Sequence, residues 1–200
     1  MAALAGPVGA LEPGPGPLAS GTARIIDPAL GRVLAQWATP TIEAGGTVGA
    51  DLSIPSASLE AIRAGATSTT LKTGQASPDS IEGRVSGSSL LCRTNAEYYL
   101  RTENGQKQIK ITRFYGSWSP QHSGMSVWNR KVICASQGTW GPKITKYPSS
   151  NSYSYSTGWG YVRWYPQLPE GGTGAGIWAG ANFAISGMGT LYYEAHMPIA

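Results

Sequence analysis

The stretch from Gly158 to Pro198 limits what this chain can fold into more than any other. Its last run, Thr190 to Met197, alternates strictly. Leu191, Tyr193, Ala195 and Met197 fall on one side, and Thr190, Tyr192, Glu194 and His196 on the other. A period of two sends those sets to opposite faces of a β-strand, one buried and one wet. Ile177 to Ser186 has the same composition and is split from that run by Gly187-Met188-Gly189. Upstream, Tyr161, Val162, Arg163, Trp164 and Tyr165 read as a strand stopped by Pro166 and by the turn cluster Pro169-Glu170-Gly171-Gly172. The second half is therefore expected to be the most ordered part of the protein.

Residues 1–22 are Ala, Gly, Pro and Leu with one charge, and Pro13-Gly14-Pro15-Gly16-Pro17 holds neither a helix nor a central strand, so this segment is expected to be an arm. Asp27-Pro28 supplies an N-cap and a first-turn proline, and Ala29, Leu30, Val33, Leu34 and Trp37 form a stripe at helical spacing; a short helix ending before Pro40 is expected. A second short helix is expected over Ser58 to Ala64, closed by Gly65, with Asp51 to Pro55 before it as an edge strand. Residues 23–80 thus read as partly helical and irregular, and 81–200 as the β domain.

Within that domain Asn104-Gly105 lies between Glu97 to Arg101 and Lys107 to Phe114. Both central positions of a type I′ turn need positive φ, which this pair adopts readily, so a hairpin is expected with Tyr98, Leu100, Ile109 and Ile111 on its buried faces. Pro120 to Gly124 reads as a loop and Met125 to Ala135 as a long strand. In it Ser126, Trp128, Arg130 and Val132 alternate against Val127, Asn129, Lys131 and Ile133. Thr139 to Tyr147 is broken at Gly141-Pro142 and reads as an edge, and Ser149 to Thr157 puts Tyr153 and Tyr155 on one side if extended. Seven or eight short strands with regular turns and no internal repeat predict a mainly β, single antiparallel domain: a sandwich, barrel or jelly roll.

Charged residues make up only 13% of the chain, which suits either a hydroxyl-rich and glycine-rich surface or one covered by neighbouring subunits. The charge is uneven. Residues 1–60 hold two basic and five acidic residues, whereas the remainder holds 13 basic and 6 acidic. Between Glu103 and Glu170 no acid occurs, while Lys107, Lys110, Arg113, Arg130, Lys131, Lys143, Lys146 and Arg163 do. That run reads either as a solvated face or as a partner surface for a polyanion. Trp118, Trp128, Trp140, Trp159, Trp164 and Trp178, with Tyr147, Tyr153, Tyr155, Tyr161 and Tyr165, crowd the same region. Interleaved rings and cations stack on bases or sugars or sit in a lipid interface; the same rings also build a sandwich core and subunit contacts.

Catalytic chemistry finds little footing. His122 and His196 are isolated, and there is no Gly-x-Ser-x-Gly or His-Glu-x-x-His. Gly171 to Gly176 lacks the Gly-Lys-Ser/Thr of a phosphate loop and leads into no helix. Cys92 and Cys134 sit in apolar runs as small hydrophobes, without metal-ligand spacing. Met1 to Ala10 has no basic n-region, and no run of about twenty apolar residues occurs, so neither a signal peptide nor a membrane-spanning helix is expected. No cofactor and no enzymatic activity are expected.

Lys107 to Ser136 (KQIKITRFYGSWSPQHSGMSVWNRKVICAS), then Gly158-Trp159-Gly160, the strand to Tyr165, Pro169-Glu170-Gly171 and the closing strand Thr190 to Pro198 resemble the later jelly-roll strands of noda-like and tombus-like coat proteins of small non-enveloped RNA viruses. The resemblance covers roughly residues 97–198. It implies an eight-stranded jelly roll that self-assembles in many copies, in the host cytoplasm, into the icosahedral shell of a virion. Under it, Lys107, Lys110, Arg113, Arg130, Lys131, Lys143 and Lys146 are expected contacts to viral RNA. Trp118, Trp128, Trp140, Trp159, Trp164 and Trp178 are expected subunit contacts. The sequence departs from the family in its arm, which has no basic residue from Met1 to Gly21, so RNA contact falls to the β-half cations. The membrane-lytic, self-cleaved C-terminal segment of some relatives is not carried over to a sequence ending at Ala200. The rival expectation is an aromatic-rich β-sandwich that attaches to membrane or glycan or forms pores, or a phage tail or decoration protein.

Overall fold

The computed structural model describes residues 20–65, 69–70, 88–137, 141–164 and 174–199. Most of the expected arm, the strand onset at Ile81, Trp140, Tyr165 and the turn cluster up to Thr173 lie outside the described residues. The elements are β1 (Ser20–Asp27), β2 (Arg32–Pro40), β3 (Ile42–Ala44), β4 (Thr47–Asp51), β5 (Ile54–Pro55), α1 (Ser56–Arg63), β6 (Thr69–Thr70), β7 (Ser88–Glu103), β8 (Gln106–Pro120), β9 (Met125–Ala135), β10 (Lys143–Lys146), β11 (Ser152–Ser156), β12 (Val162–Arg163), β13 (Gly176–Ile185) and β14 (Thr190–Pro198).

They form two sheets. Sheet A has the order β10-β9-β13-β14-β1-β2-β6; sheet B has β11-β8-β7-β4-β3, with β12 also on β8 and β5 on β7. Among the described residues every pairing is antiparallel except the short parallel one of β2 with β6. The inner faces close on one core, in which Ile25, Phe183 and Tyr193 of sheet A meet Leu90, Ile111, Phe114 and Trp118 of sheet B. The Tyr193 hydroxyl crosses between the layers and donates to the Leu52 carbonyl at 3.0 Å. The mainly β, two-sheet antiparallel sandwich is the fold class that the sequence predicts.

Its wiring is by hairpins that stay inside a sheet: β1 with β2, β3 with β4, β7 with β8, β9 with β10, and β13 with β14. In a jelly roll most consecutive strands lie in opposite sheets instead. Here the chain changes sheet between the hairpins, and β1 and β14 pair side by side, Thr22 opposite His196.

The expected helix after Asp27-Pro28 is a turn followed by a strand. The Asp27 carboxylate does cap: it accepts from the Ala29 amide at 2.9 Å and the Leu30 amide at 3.3 Å. It closes the β1–β2 connection rather than a helix, and Leu30 stands 68% exposed. From Arg32 the chain pairs along β1, which buries Ala35 and Trp37 at a period of two. Pairing along the whole of β1 gives the segment a ladder of hydrogen bonds, where an isolated helix this short would be marginal. Residues 23–80, expected to be irregular, therefore contribute strands to both sheets. The second expected helix does form, as α1, and closes with the Gly65 amide on the Ile62 carbonyl at 3.0 Å.

Two bulges reset which side chains face inward. On β8, Ile109 and Ile111 are buried; after a register shift opposite Glu97/Tyr98 the buried set becomes Phe114 and Trp118. On β9, Asn129 adopts φ 49° where Gly180 and Asn182 pair with Lys131 and Trp128. The strict alternation expected along 125–135 thus breaks: Met125 faces the core before the bulge, Val132 and Cys134 after it. Leu100, expected to be buried, pairs with Ile109 near the tip of the hairpin and is 49% exposed there. Of the strand expected over 161–165, the described residues form Val162–Arg163 on the flank of β8, and Tyr165 lies outside them.

Cys92 and Cys134 are free and buried. Burial pushes the Cys134 thiol up to about 12 and the Cys92 thiol higher still, so both stay protonated and unreactive in the fold. His196, on the outer face of β14, stacks on Trp178 at 4.5 Å between ring centroids, and its Nε2 is buried with no hydrogen-bond partner among the described residues. Burial disfavours the imidazolium and lowers its pKa below the ordinary 6.5. Above that value both states are neutral; below it the unfolded chain takes the proton first. Stability is expected to fall as pH drops below about 6.5 and to level off beneath the folded pKa. His196→Gln should flatten that slope in urea midpoints measured between pH 7 and 5; an unchanged slope would assign it to other groups.

Candidate functional site

The outer face of sheet B gathers the charge. The Asn104-Gly105 turn, with φ of 51° and 75°, sets the β7/β8 register, pairing Arg101 with Gln108 and Tyr99 with Lys110. Because Ile109 and Ile111 point inward, Gln108 and Lys110 point out. On the far side of β8, β12 pairs Arg163 with Gln108, which lays Tyr161 beside Lys110. Past the bulge, Arg113 pairs with Glu97 on β7 and with Ser156 on β11, and Tyr115 with Asn95 and Ser154.

Two of the rings on this face, Tyr161 and Tyr115, carry a cation. The Arg101 guanidinium lies 4.0 Å above the centre of Tyr161, and the Lys110 ammonium approaches the same ring at 5.9 Å. On the inner side of the sheet, with Ile109 and Val162, Lys107 sits 5.3 Å from Trp164, whose amide donates to the Lys107 carbonyl at 2.8 Å and extends the β12 ladder by one step. Arg113 lies 4.9 Å from Tyr115. Tyr99, 59% exposed, is left with an open ring next to Lys110. Such pairs hold the long cationic side chains against the sheet without neutralising them.

The only acids on β7, β8, β11 and β12 are Glu97 and Glu103, against Arg93, Arg101, Lys107, Lys110, Arg113 and Arg163. Both acids are occupied: Glu97 meets Arg113 at 3.2 Å and Glu103 meets Arg101 at 2.7 Å. Arg101 also donates to Gln108 at 2.7 Å, and Arg113 to Ser154 at 2.9 Å. Lys107 and Lys110 have no ion pair among the described residues. The face is thus flat, positive, edged with rings and braced by hydrogen bonds.

Two of the seven expected basic contacts, Lys110 and Arg113, come together here. The other five do not: Lys107 shares the side of Ile109 and points to the inner side of the sheet at the hairpin tip. Arg130 and Lys131 project to opposite sides of β9, Arg130 being bound to Asn151 at 3.0 Å and to the Val127 carbonyl at 2.6 Å, a brace from β9 to the β10–β11 connection. Lys143 and Lys146 lie on β10 at the edge of sheet A, Lys146 at 5.5 Å from Tyr155. The tryptophans also separate. Trp118, expected at a subunit contact, is 1% exposed and belongs to the core, 5.2 Å from Tyr153. Trp159 and Trp164 are half-buried against the core. Trp128 and Trp178 lie on the outer face of sheet A, and Trp140 lies outside the described residues.

Arg101, Tyr99 and Tyr115 join the face without having been singled out as contacts, beside Tyr161, one of the rings named around the acid-free run. Counting outward in pairs from Asn104-Gly105 reaches Tyr99 and Arg101; nothing in the sequence marks the bulge that brings Tyr115 alongside. Among the described residues no group of three or more His, Cys, Asp or Glu could hold a metal ion, and no helix is long and apolar enough to cross a membrane. No protein-family model, curated protein or solved structure matches this chain.

Proposed function

We infer that the protein is a binding module, not an enzyme, and that the outer face of sheet B holds a single-stranded nucleic acid. The observation that carries this is Lys110, without an ion pair among the described residues, set between the open ring of Tyr99 and the Arg101–Tyr161 stack on one face that Arg113 and Tyr115 continue. A flat strand surface suits an extended polymer better than a small molecule, and cations interleaved with rings serve phosphates and bases together. Arg101, braced over Tyr161, offers the upper face of its guanidinium to a stacked base.

The test is fluorescence anisotropy of a labelled oligothymidine over a range of salt. Binding should weaken as salt rises, each phosphate contact adding about 0.7 to the slope of log K against log salt. Lys110→Ala with Arg113→Ala should lower that slope by about 1.4 and the affinity by on the order of tenfold. Salt-independent binding, or a double variant that binds like the parent, would sink the assignment.

A shell subunit enclosing viral RNA is the second reading, with many copies of this chain as partners. On its side is the placement of Leu30 and Tyr147, 68% and 70% exposed, on the β1–β2 turn and after β10, as contacts to more than one neighbour require. Light scattering of the same samples separates the two: uniform closed particles favour the shell, and a monomer that binds the oligonucleotide leaves the binding module alone.

A further inference from the structure

The outer face of sheet A has a different chemistry. Strand register lays its residues in rows across the sheet. One row runs Ile133, Trp178, His196, Thr22, and the next runs Lys131, Gly180, Glu194, Arg24, Gln36. Between the rows lies a groove of about 270 Å³. The stacked rings of Trp178 and His196 form its apolar side, tilted only 17° from parallel. Its polar side is the Arg24–Glu194 ion pair, 2.6 Å long, continued by Gln36. Gly180 contributes no side chain to the charged row, and the Tyr192 ring lies over that gap, since a Cβ on Gly180 would come within 2.9 Å of the phenol ring carbon.

We propose that this groove is a binding site for one pyranose unit of an uncharged saccharide. A pyranose has an apolar face of C–H groups and a rim of hydroxyls that both donate and accept. The ring pair matches the first, and the row of carboxylate, guanidinium and amide matches the second. Charge decides between saccharide classes. Arg24 and Glu194 compensate each other, so the groove is polar but balanced, whereas the outer face of sheet B carries Lys110 with no ion pair among the described residues. The imidazole, held neutral by its burial, adds no charge to the wall. The volume holds a single sugar ring, and the groove is open to the surface, so a chain can continue beyond it.

Cellotetraose, maltotetraose and chitotetraose are the probes, each titrated into the whole protein at 0.5 M salt, a concentration chosen at roughly the level where surface ion pairing is screened. The readouts are calorimetry and the Trp178 indole N–H resonance. Saturable binding of at least one tetraose, with a shift of that resonance, is the expected result. Trp178→Ala should abolish it and Glu194→Gln should weaken it at least tenfold, while oligothymidine binding at low salt stays unchanged in both. Trp178→Phe, which keeps a ring on the surface, controls for folding and should retain part of the affinity. No saturable binding of any of the three, or binding that survives Trp178→Ala, overturns the proposal; so does binding confined to anionic saccharides. Because the oligonucleotide test uses the opposite sheet, either site can fail without the other.

Discussion

Trp118→Ala is expected to lower the melting temperature of the isolated protein by on the order of 10 °C. The indole is 1% exposed and packs 5.2 Å from Tyr153, within a cluster that Phe114 and Tyr155 complete. Removing a buried tryptophan costs about 3–5 kcal/mol, transfer and cavity together, a large fraction of the roughly 5–15 kcal/mol that holds a domain folded. For a chain this long each kcal/mol moves the midpoint by about 2–4 °C. Differential scanning calorimetry at low protein concentration is the measurement. It also separates the two roles that a tryptophan here can have. A contact residue between subunits would leave the monomer's midpoint in place and change particle size; a core residue lowers the midpoint whatever the concentration.

That distinction marks where sequence reasoning stops. Asn104-Gly105 and the alternation of Leu191 to Met197 were legible because each encodes its geometry within a few residues: positive φ in one, a period of two in the other. The bounds of β9 were legible for the same reason. The bulge at Asn129 was not, since the extra residue is recognisable only against Gly180 and Asn182 on the neighbouring strand. Asp27-Pro28 shows the opposite failure. Its capping chemistry is present, but the helical stripe leaves out Ala35, which with Trp37 forms the pair two apart that pairing with β1 buries.

The candidate site was half legible. The acid-free run predicted positive charge without predicting a surface, because a linear run of cations is dealt alternately to two faces and several strands. Lys110 and Arg113 share a face only because of the extra residue at Thr112. Arg130 and Lys131, adjacent in sequence, are parted by the same rule without a bulge between them. Aromatic count was still less informative, since Trp118 serves the core and Trp178 the surface, with nothing local to tell them apart.

Gly116→Ala should be the most damaging single methyl group that can be added to sheet B. Gly116 lies at an inward position of β8 between Phe114 and Trp118, opposite Thr94 on one side and Tyr153 on the other. The missing side chain is replaced by the Tyr153 ring, which crosses the glycine so that its hydroxyl lies 3.3 Å from the Thr94 hydroxyl. A Cβ there would stand 2.6 Å from the Tyr153 oxygen and 2.1 Å from the Arg93 carbonyl. Rotating the tyrosine relieves the first clash and leaves the second, which is with backbone, so the β7/β8 ladder must itself shift. That shift also displaces Tyr153 from Trp118 and Phe114, and an overpacked core costs about 1–3 kcal/mol before the lost ring contacts are counted. The expected result is a variant less stable than the parent by at least about 3 kcal/mol, with Cys92, on the adjoining strand, becoming reactive to a thiol reagent under native conditions. Tyr153→Phe, which keeps the ring and removes only the hydroxyl, should cost no more than about 1–2 kcal/mol. If Gly116→Ala melts with the parent, the ring does not lie over the glycine, and the aromatic cluster that fixes the β8–β11 edge is not what holds it.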